Sequence, residues 1–227
     1  MASIVGLLVL GFLLGLKHAT DTDHIVAIST FVSQTKSLKK SSLSGILWGL
    51  GHTLTLFIVG GLILLFKITV SKKVALGLEL PVGVMLVFLG LRLIIKTNKQ
   101  KTHLHPHTHN EVSHKHLHAH KDSKSHRHIH QSFWMGLVHG LAGSAALVLL
   151  VLSTTHSTLQ GLVFILIFGV GSILGMLLIS TLVGLPILLT SRFEKLERGL
   201  QLAAGVISIL VGAITIYELV FVQKLFG

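Results

Sequence analysis

Six apolar segments, each long enough to cross a bilayer as a helix, restrict this chain to few folds. They cover approximately residues 3–32, 43–66, 74–96, 132–153, 160–184 and 199–222. A transmembrane helix needs about 20 consecutive, mainly apolar residues. The sequence therefore predicts an all-α integral membrane protein with six transmembrane helices.

The composition agrees with a membrane protein and limits its chemistry. Hydrophobic residues make up 51% of the chain and charged residues 12%, and the mean hydropathy is +0.79. These values are typical of a helix bundle in lipid and unlike those of a soluble domain. The chain has no cysteine, which excludes disulfides and thiolate ligands. Histidine, carboxylate and backbone ligands remain, and they suit divalent nickel, cobalt or zinc.

The basic residues lie in loops between the apolar segments and predict an orientation. The net charge is +11, and the Lys and Arg residues cluster after the first, third and fifth segments. The positive-inside rule places these loops in the cytoplasm. Both termini are then expected outside the cell membrane, and the lipid bilayer explains the charge without a nucleic-acid partner.

A histidine-rich loop divides the chain into three parts. It covers residues 97–131, between a first three-helix part, residues 1–96, and a second, residues 132–227. Its eleven histidines stand at positions 103, 105, 107, 109, 114, 116, 118, 120, 126, 128 and 130. This polar, low-complexity composition is typical of disordered, metal-sequestering segments. The predicted orientation places the loop in the cytoplasm.

The two three-helix parts share a weak internal repeat. Gly-Leu-x-His occurs at residues 15–18 and 136–139, and Gly-x-Gly-His at 49–52 corresponds to Gly-x-Gly-Ser at 169–172. Glycine pairs spaced by seven residues occur in the third and sixth segments. Each glycine alone could mark close helix packing, but the ordered set predicts a repeat. Because each half has three spans, the second half would be inverted, as in secondary transporters.

The first apolar segment contains an unusual run of polar residues. It reads Lys17-His18-Ala19-Thr20-Asp21-Thr22-Asp23-His24. Ionisable groups inside a membrane are costly, and they usually pair with each other, face a protein interior or hold an ion. A hydrogen-bonded cluster that locks helices together is the structural alternative. Five ionisable groups in eight residues favour a metal site.

The geometry of a helix leaves two arrangements open for this run. At 100° per residue, His18, Asp21 and His24 share a face about 120° wide, and Asp23 points elsewhere. Asp23 could orient a histidine of a neighbouring helix, as carboxylates near metal sites often do. Alternatively, the helix opens between Ala19 and Asp23, and all four groups converge on one ion.

Two further histidines in apolar segments are candidate ligands. His52 in the second segment stands beside small glycines that allow close helix approach. His139 in the fourth segment occupies the position that corresponds to His18 in the repeat. In the same alignment, Ser144 corresponds to Asp23. A core histidine bonded to a carbonyl is the alternative for each. The second half lacks the carboxylates, so we expect it to form a polar partner surface.

These residues resemble the signatures of the nickel/cobalt transporter family. Residues 17–25, Lys-His-Ala-Thr-Asp-Thr-Asp-His-Ile, are similar to the HX4DH motif, which commonly reads R-H-A-x-D-A-D-H-I. Leu-Gly-His-Thr at 50–53 is similar to the L-G-H-S/T motif of the next helix. Residues 136–147 and the six-span layout resemble the shorter branch associated with urease gene clusters. The further signatures of the longer, eight-span members are absent from the second half.

The resemblance implies transport of nickel(II) or cobalt(II), with His18, Asp23, His24 and His52 as ligands. Urease maturation proteins or a cytoplasmic metallochaperone are then expected partners. We predict a secondary carrier, with uptake as the direction, that is not an enzyme and has no resident cofactor. The full predicted ligand set is His18, Asp21, Asp23, His24, His52 and His139.

Three alternatives to this carrier stay open at the level of sequence. The substrate could be zinc or another divalent metal, and the direction could be export. An intramembrane metal-dependent enzyme could use the histidines and aspartates to activate water. A metal store or sensor could rely on the histidine-rich loop. The sequence lacks a nucleotide-binding glycine motif, so it does not indicate an ATPase.

Overall fold

The computed structural model of the protein describes residues 4–99, 106–109, 112–115, 125–155 and 157–226. Helices dominate these residues. They are α1 (Ile4–His18), α2 (Thr22–Val32), α3 (Leu38–Phe66), α4 (Lys72–Lys99), α5 (Ser125–Thr154), α6 (Thr158–Thr190) and α7 (Glu194–Tyr217), which a π-helical turn (Glu218–Val222) extends. The prediction of a helical membrane protein is confirmed.

The first predicted span is a bent pair of helices. The axes of α1 and α2 differ by 56° across a short break at residues 19–21. The backbone N–H groups of Thr20 and Asp21 turn back to the carbonyls of Lys17 (2.8 Å) and His18 (3.0 Å), and the Thr20 hydroxyl also donates to Lys17 O (2.6 Å). Asp21 then takes an extended conformation before α2 begins. Thr and Asp compete with helical hydrogen bonds and favour helix starts, so the break follows from the local sequence.

Four of the helices are long and apolar enough to cross a membrane: α3, α4, α6 and the continuous α7 with its π-helical turn. The bent pair α1–α2 raises the number to five within the described part of the chain. The remaining predicted span, residues 132–153, coincides with α5, where several side chains lie outside the described residues. These helices alone therefore account for five of the six spans that the sequence predicts.

The described residues of the histidine-rich loop include a short hairpin. Strands β1 (Pro106–His109) and β2 (Val112–Lys115) pair in antiparallel register. Alternation of histidine with other residues is also the period of a strand, although a lone hairpin is marginally stable. Histidines 103, 105, 116, 118 and 120 lie outside the described residues.

Glycines allow helices of the two halves to cross at backbone contact. A Cβ on Gly15 of α1 would collide with the carbonyl of Phe168 in α6, and a Cβ on Gly136 of α5 would collide with the carbonyl of Trp48 in α3. Gly90 and Gly205 meet in the same way between α4 and α7. Small residues are the usual means by which membrane helices approach closely. The result is a bundle in which α1 packs on α6, α3 on α5 and α6, and α4 on α7.

Polar contacts hold the far end of α2 against the last helix. Gln201 of α7 is buried and donates to the carbonyl of Ser33 at 2.9 Å. Lys36 forms an ion pair with Glu197 at 2.8 Å. The end of α2 is thus attached to α7, while its beginning lies at the helix break.

The outer surface of the bundle is apolar. Large hydrophobic side chains such as Phe66 (72% exposed), Leu182 (67%) and Phe221 (66%) point away from the core. A soluble monomer rarely exposes so many, whereas lipid accepts them.

Candidate metal centre

Four histidines from four helices meet beside the break between α1 and α2. His18 ends α1, His24 lies in α2, His52 in α3 and His139 in α5. The residues His24, His52 and His139 are 1%, 0% and 1% exposed. The ring centroids of His24 and His139 are 3.9 Å apart. Imidazoles that are buried together in this way need hydrogen bonds or an ion.

The histidines at positions 18, 24 and 52 form a nearly equilateral triangle. Their ring centroids are separated by 4.5 Å (His18–His24), 5.2 Å (His18–His52) and 5.1 Å (His24–His52). Three imidazoles on one ion, with metal–nitrogen bonds of about 2.1 Å and ligand angles of about 90–109°, would place their centroids about 4.5–5.2 Å apart. One ring nitrogen from each histidine lies within 4.8 Å of the other two. The centroid spacing therefore fits three imidazoles on one divalent ion, and only the ring nitrogens need to move modestly closer together.

Asp23 joins two of the histidines. Its Oδ1 lies 3.0 Å from His24 Nδ1 and accepts the His24 backbone N–H at 2.9 Å. Its Oδ2 lies 2.9 Å from His139 Nε2. Asp23, His24 and His139 also form a second group whose ligand atoms lie within 4.8 Å of one another. Each carboxylate oxygen thus faces one imidazole.

Asp21 contacts one histidine at the edge of the centre. Its Oδ2 lies 2.7 Å from His18 Nδ1, and half of the Asp21 side chain is exposed. Asp21 belongs to neither group of converging ligand atoms among the described residues. A carboxylate on Nδ1 fixes the ring orientation and leaves Nε2 for a ligand, which is a positioning role.

Several buried ring nitrogens of the centre have no hydrogen-bond partner among the described residues. They are Nε2 of His24, both nitrogens of His52 and Nδ1 of His139. Leaving such atoms unpaired costs about 1–3 kcal/mol each. Nitrogen donors of this kind are the ligands that nickel, cobalt and zinc accept, so the donor set fits a divalent transition-metal ion.

The structure combines parts of the two arrangements left open by the sequence. The helix is broken at residues 19–21, and Asp23 reaches His139 on a neighbouring helix, but His18, Asp21, Asp23 and His24 do not converge as one group. His18, Asp21 and His24 do not share one face of a continuous helix, because the axis of α2 is bent away from that of α1. Five of the six predicted site residues lie in the two groups of converging ligands, and Asp21 borders them.

Sequence reasoning missed the glycine that borders the triangle on α5. A Cβ on Gly143 would lie 3.6 Å from His18 Nε2 and 3.8 Å from His52 Cε1. The absence of a side chain therefore keeps space free next to the Nε2 atom of His18. The spacing of Gly140 and Gly143, just after His139, was the signal that could have indicated this.

Gly143→Ala should reduce metal transport about tenfold without destabilising the protein. The new methyl would make only ordinary contacts, at 3.6–3.8 Å, and alanine improves helix propensity by about 1 kcal/mol. An ion on His18 Nε2, with its remaining waters, would collide with that methyl. Uptake and thermal melting of the variant would be compared with those of Gly77→Ala, whose Cβ meets nothing within 4 Å. Unchanged uptake would show that the ion does not use this space.

Comparison with known proteins identifies the family of this chain. The sequence profile of the family described as cytochrome C biogenesis protein transmembrane region matches residues 7–214. The chain belongs to this family. It is also 41% identical to the urease accessory protein UreH of Bacillus sp. (strain TB-90), over 98% of this chain and 96% of that protein. No solved structure matches the chain.

Membership in the transmembrane-region family agrees with the apolar helices and identifies a multi-pass membrane protein. The matched residues extend from α1 to α7, so all the helices that carry the centre are included.

Proposed function

We propose that this protein is a secondary transporter that carries divalent nickel, and also cobalt, across the cell membrane into the cytoplasm. The observation that carries the proposal is the cluster of four histidines and Asp23 beside a helix break inside an apolar bundle. Breaks of this kind are tolerated at membrane depth where they are buried in protein or line a cavity. The name of the relative, a urease accessory protein, and the resemblance to nickel/cobalt transporters support nickel as the main substrate.

The chemistry of the centre supports a transition metal over calcium or magnesium. Neutral imidazoles dominate the donor set, and hard cations prefer oxygen ligands. Imidazole sites bind nickel more tightly than cobalt in the general affinity order. An arriving ion would exchange part of its water shell for His18, His24 and His52.

Mirrored contacts support an arrangement of six spans in two inverted repeats, with α5 as the span that completes the second half. The aligned glycine motifs give each residue a counterpart in the other half. When both residues of a contact are replaced by their counterparts, the result is another contact that the structure contains. The pairs of contacts are Gly15–Phe168 with Gly136–Trp48, Gly171–Phe12 with Gly51–Phe133, and Gly83–Gly212 with Gly205–Gly90. Inverted repeats in transporters place the substrate site at their interface, which is where α2, α3 and α5 meet here.

The proposed topology places both termini outside and the histidine-rich loop in the cytoplasm, following the Lys and Arg distribution. The half-exposed Asp21 gives an arriving ion a carboxylate beside His18. After release, the cytoplasmic loop, a metallochaperone or urease maturation proteins would receive the ion.

His18→Ala should lower nickel accumulation at least about tenfold, because it removes one of three imidazoles. The test measures nickel, cobalt and zinc separately in cells that express the wild type or the variant. Leu13→Ala, which shortens an exposed side chain of the same helix, is the control and should transport normally. Unaltered accumulation in His18→Ala would refute the proposed site, and accumulation of zinc alone would refute nickel as the substrate.

A further inference from the structure

His24 belongs to both groups of converging ligands, and its two ring nitrogens have different surroundings. Nδ1 lies 3.0 Å from Asp23 Oδ1. Nε2 is buried and has no hydrogen-bond partner among the described residues. A neutral imidazole carries one proton and therefore has one nitrogen free to bind a metal at any time. His24 can thus serve only one of the two groups at once.

The group formed by Asp23, His24 and His139 has the spacing of ligands around a single ion. Its oxygen–nitrogen separations are 3.0 Å to His24 Nδ1 and 2.9 Å to His139 Nε2. Two ligands at right angles on an ion, with bonds of about 2.1 Å, are about 3.0 Å apart. The separations from Asp23 to the two rings therefore match those of neighbouring ligands on one ion, and one ligand atom from each of the three residues lies within 4.8 Å of the other two.

The two groups differ in charge. The triangle of His18, His24 and His52 consists of neutral rings when it binds a metal, whereas the other group includes the Asp23 carboxylate. A dication gains electrostatic stabilisation from that carboxylate in a low-dielectric interior. Each group has only three protein ligands, so an ion is held by few bonds and can leave, as transport requires.

We propose that the protein has two adjacent, mutually exclusive metal positions that share His24. The first is formed by His18, His24 and His52, and the second by Asp23, His24 and His139. The proposal rests on the transport function proposed above and describes how the ion passes through its site.

Transfer between the positions is a ligand exchange with a proton shift. At the first position, His24 binds the ion through Nε2, and its Nδ1–H donates to Asp23. At the second, the proton is on Nε2, and Nδ1 binds the ion together with an oxygen of Asp23. His139 gives up its Nε2 proton and gains one at Nδ1 in the same step, and water of the ion's hydration shell takes the proton from one nitrogen of each ring and returns one to the other. No charge is created, because each ring stays neutral.

The variants His52→Ala and His139→Ala separate the two positions. Each removes one ligand of one group and leaves the other group intact. In equilibrium dialysis with nickel chloride, each purified full-length variant should bind as many ions as the wild type, with the affinity of the centre reduced less than about 100-fold. Uptake into proteoliposomes should fall at least about tenfold in both, because an ion then has only one position. The double variant should bind one ion fewer than the wild type, because the histidine-rich loop is unchanged in all of them.

X-ray absorption of bound nickel identifies which position is occupied. His139→Ala should show imidazole as the only protein ligand, and His52→Ala should add a carboxylate oxygen. The variants His52→Gln and His139→Gln, which keep a polar side chain, serve if either alanine variant fails to fold. Normal uptake by His139→Ala, or the loss of one bound nickel ion in His52→Ala relative to the wild type, would overturn the two-position proposal. Failure of the wild type to bind or take up any metal would instead refute the proposed function.

Discussion

His24→Ala should abolish metal uptake, with a loss of at least about 100-fold, while the protein remains folded in the membrane. His24 is the one histidine that belongs to both groups of converging ligands among the described residues. Removing a ligand or its orienting partner commonly costs 10–100-fold in metal affinity, and here both groups lose a member. The same substitution should lower the number of nickel ions bound by the purified protein by one.

The control for His24→Ala is Leu13→Ala, which shortens an exposed side chain on the outer surface of α1. Because the His24 side chain is 1% exposed, its removal leaves a cavity, and gel filtration in detergent must show that the variant is monodisperse. A well-folded His24→Ala protein that accumulates nickel at the wild-type rate would contradict the assignment of the centre.

Gly136→Ala should strongly reduce the amount of folded protein. A Cβ at this position would collide with the carbonyl of Trp48 and lie 3.1 Å from the His52 backbone nitrogen. Backbone atoms of a packed helix cannot move aside as a flexible side chain does. Overpacking of this kind costs about 1–3 kcal/mol or more, and α5 would also be pushed away from the metal ligand on α3.

The measurement for Gly136→Ala is thermal melting in detergent together with the yield of monodisperse protein. Gly15→Ala should behave in the same way, since its Cβ would meet the carbonyl of Phe168. Gly77→Ala is the matched control, because it makes the same change in α4 where nothing lies within 4 Å. A melting temperature of Gly136→Ala equal to that of the control would contradict the close crossing of α3 and α5.

The positions of the helices were predictable because hydropathy is a local property. Apolar runs of sufficient length identified the segments that became α3, α4, α6 and α7. The break in the first span was one of two arrangements that the sequence allowed. Its cause is local, since Thr20 and Asp21 form turns with Lys17 and His18, but the 56° bend depends on what α2 packs against.

The pairing inside the centre was not predictable from the sequence. The sequence made His139 a candidate ligand and allowed Asp23 to orient a histidine of a neighbouring helix, but it did not indicate that these two residues, 116 positions apart, would meet. The importance of Gly143 was hidden for the same reason, since its role is the space it leaves beside His18.

The sequence by itself determined that this is a helical membrane protein, and it identified the histidines and aspartates inside its apolar segments as candidate ligands. Hydrophobic length and the cost of buried charge suffice for these conclusions, because both are set by each segment separately. Only the tertiary structure decided which side chains meet: it placed His52 and His139 next to His24 and set Asp23 between two rings. Those contacts depend on how closely α3 and α5 cross, and the crossing is allowed by Gly51 and Gly136, which lie far apart along the chain.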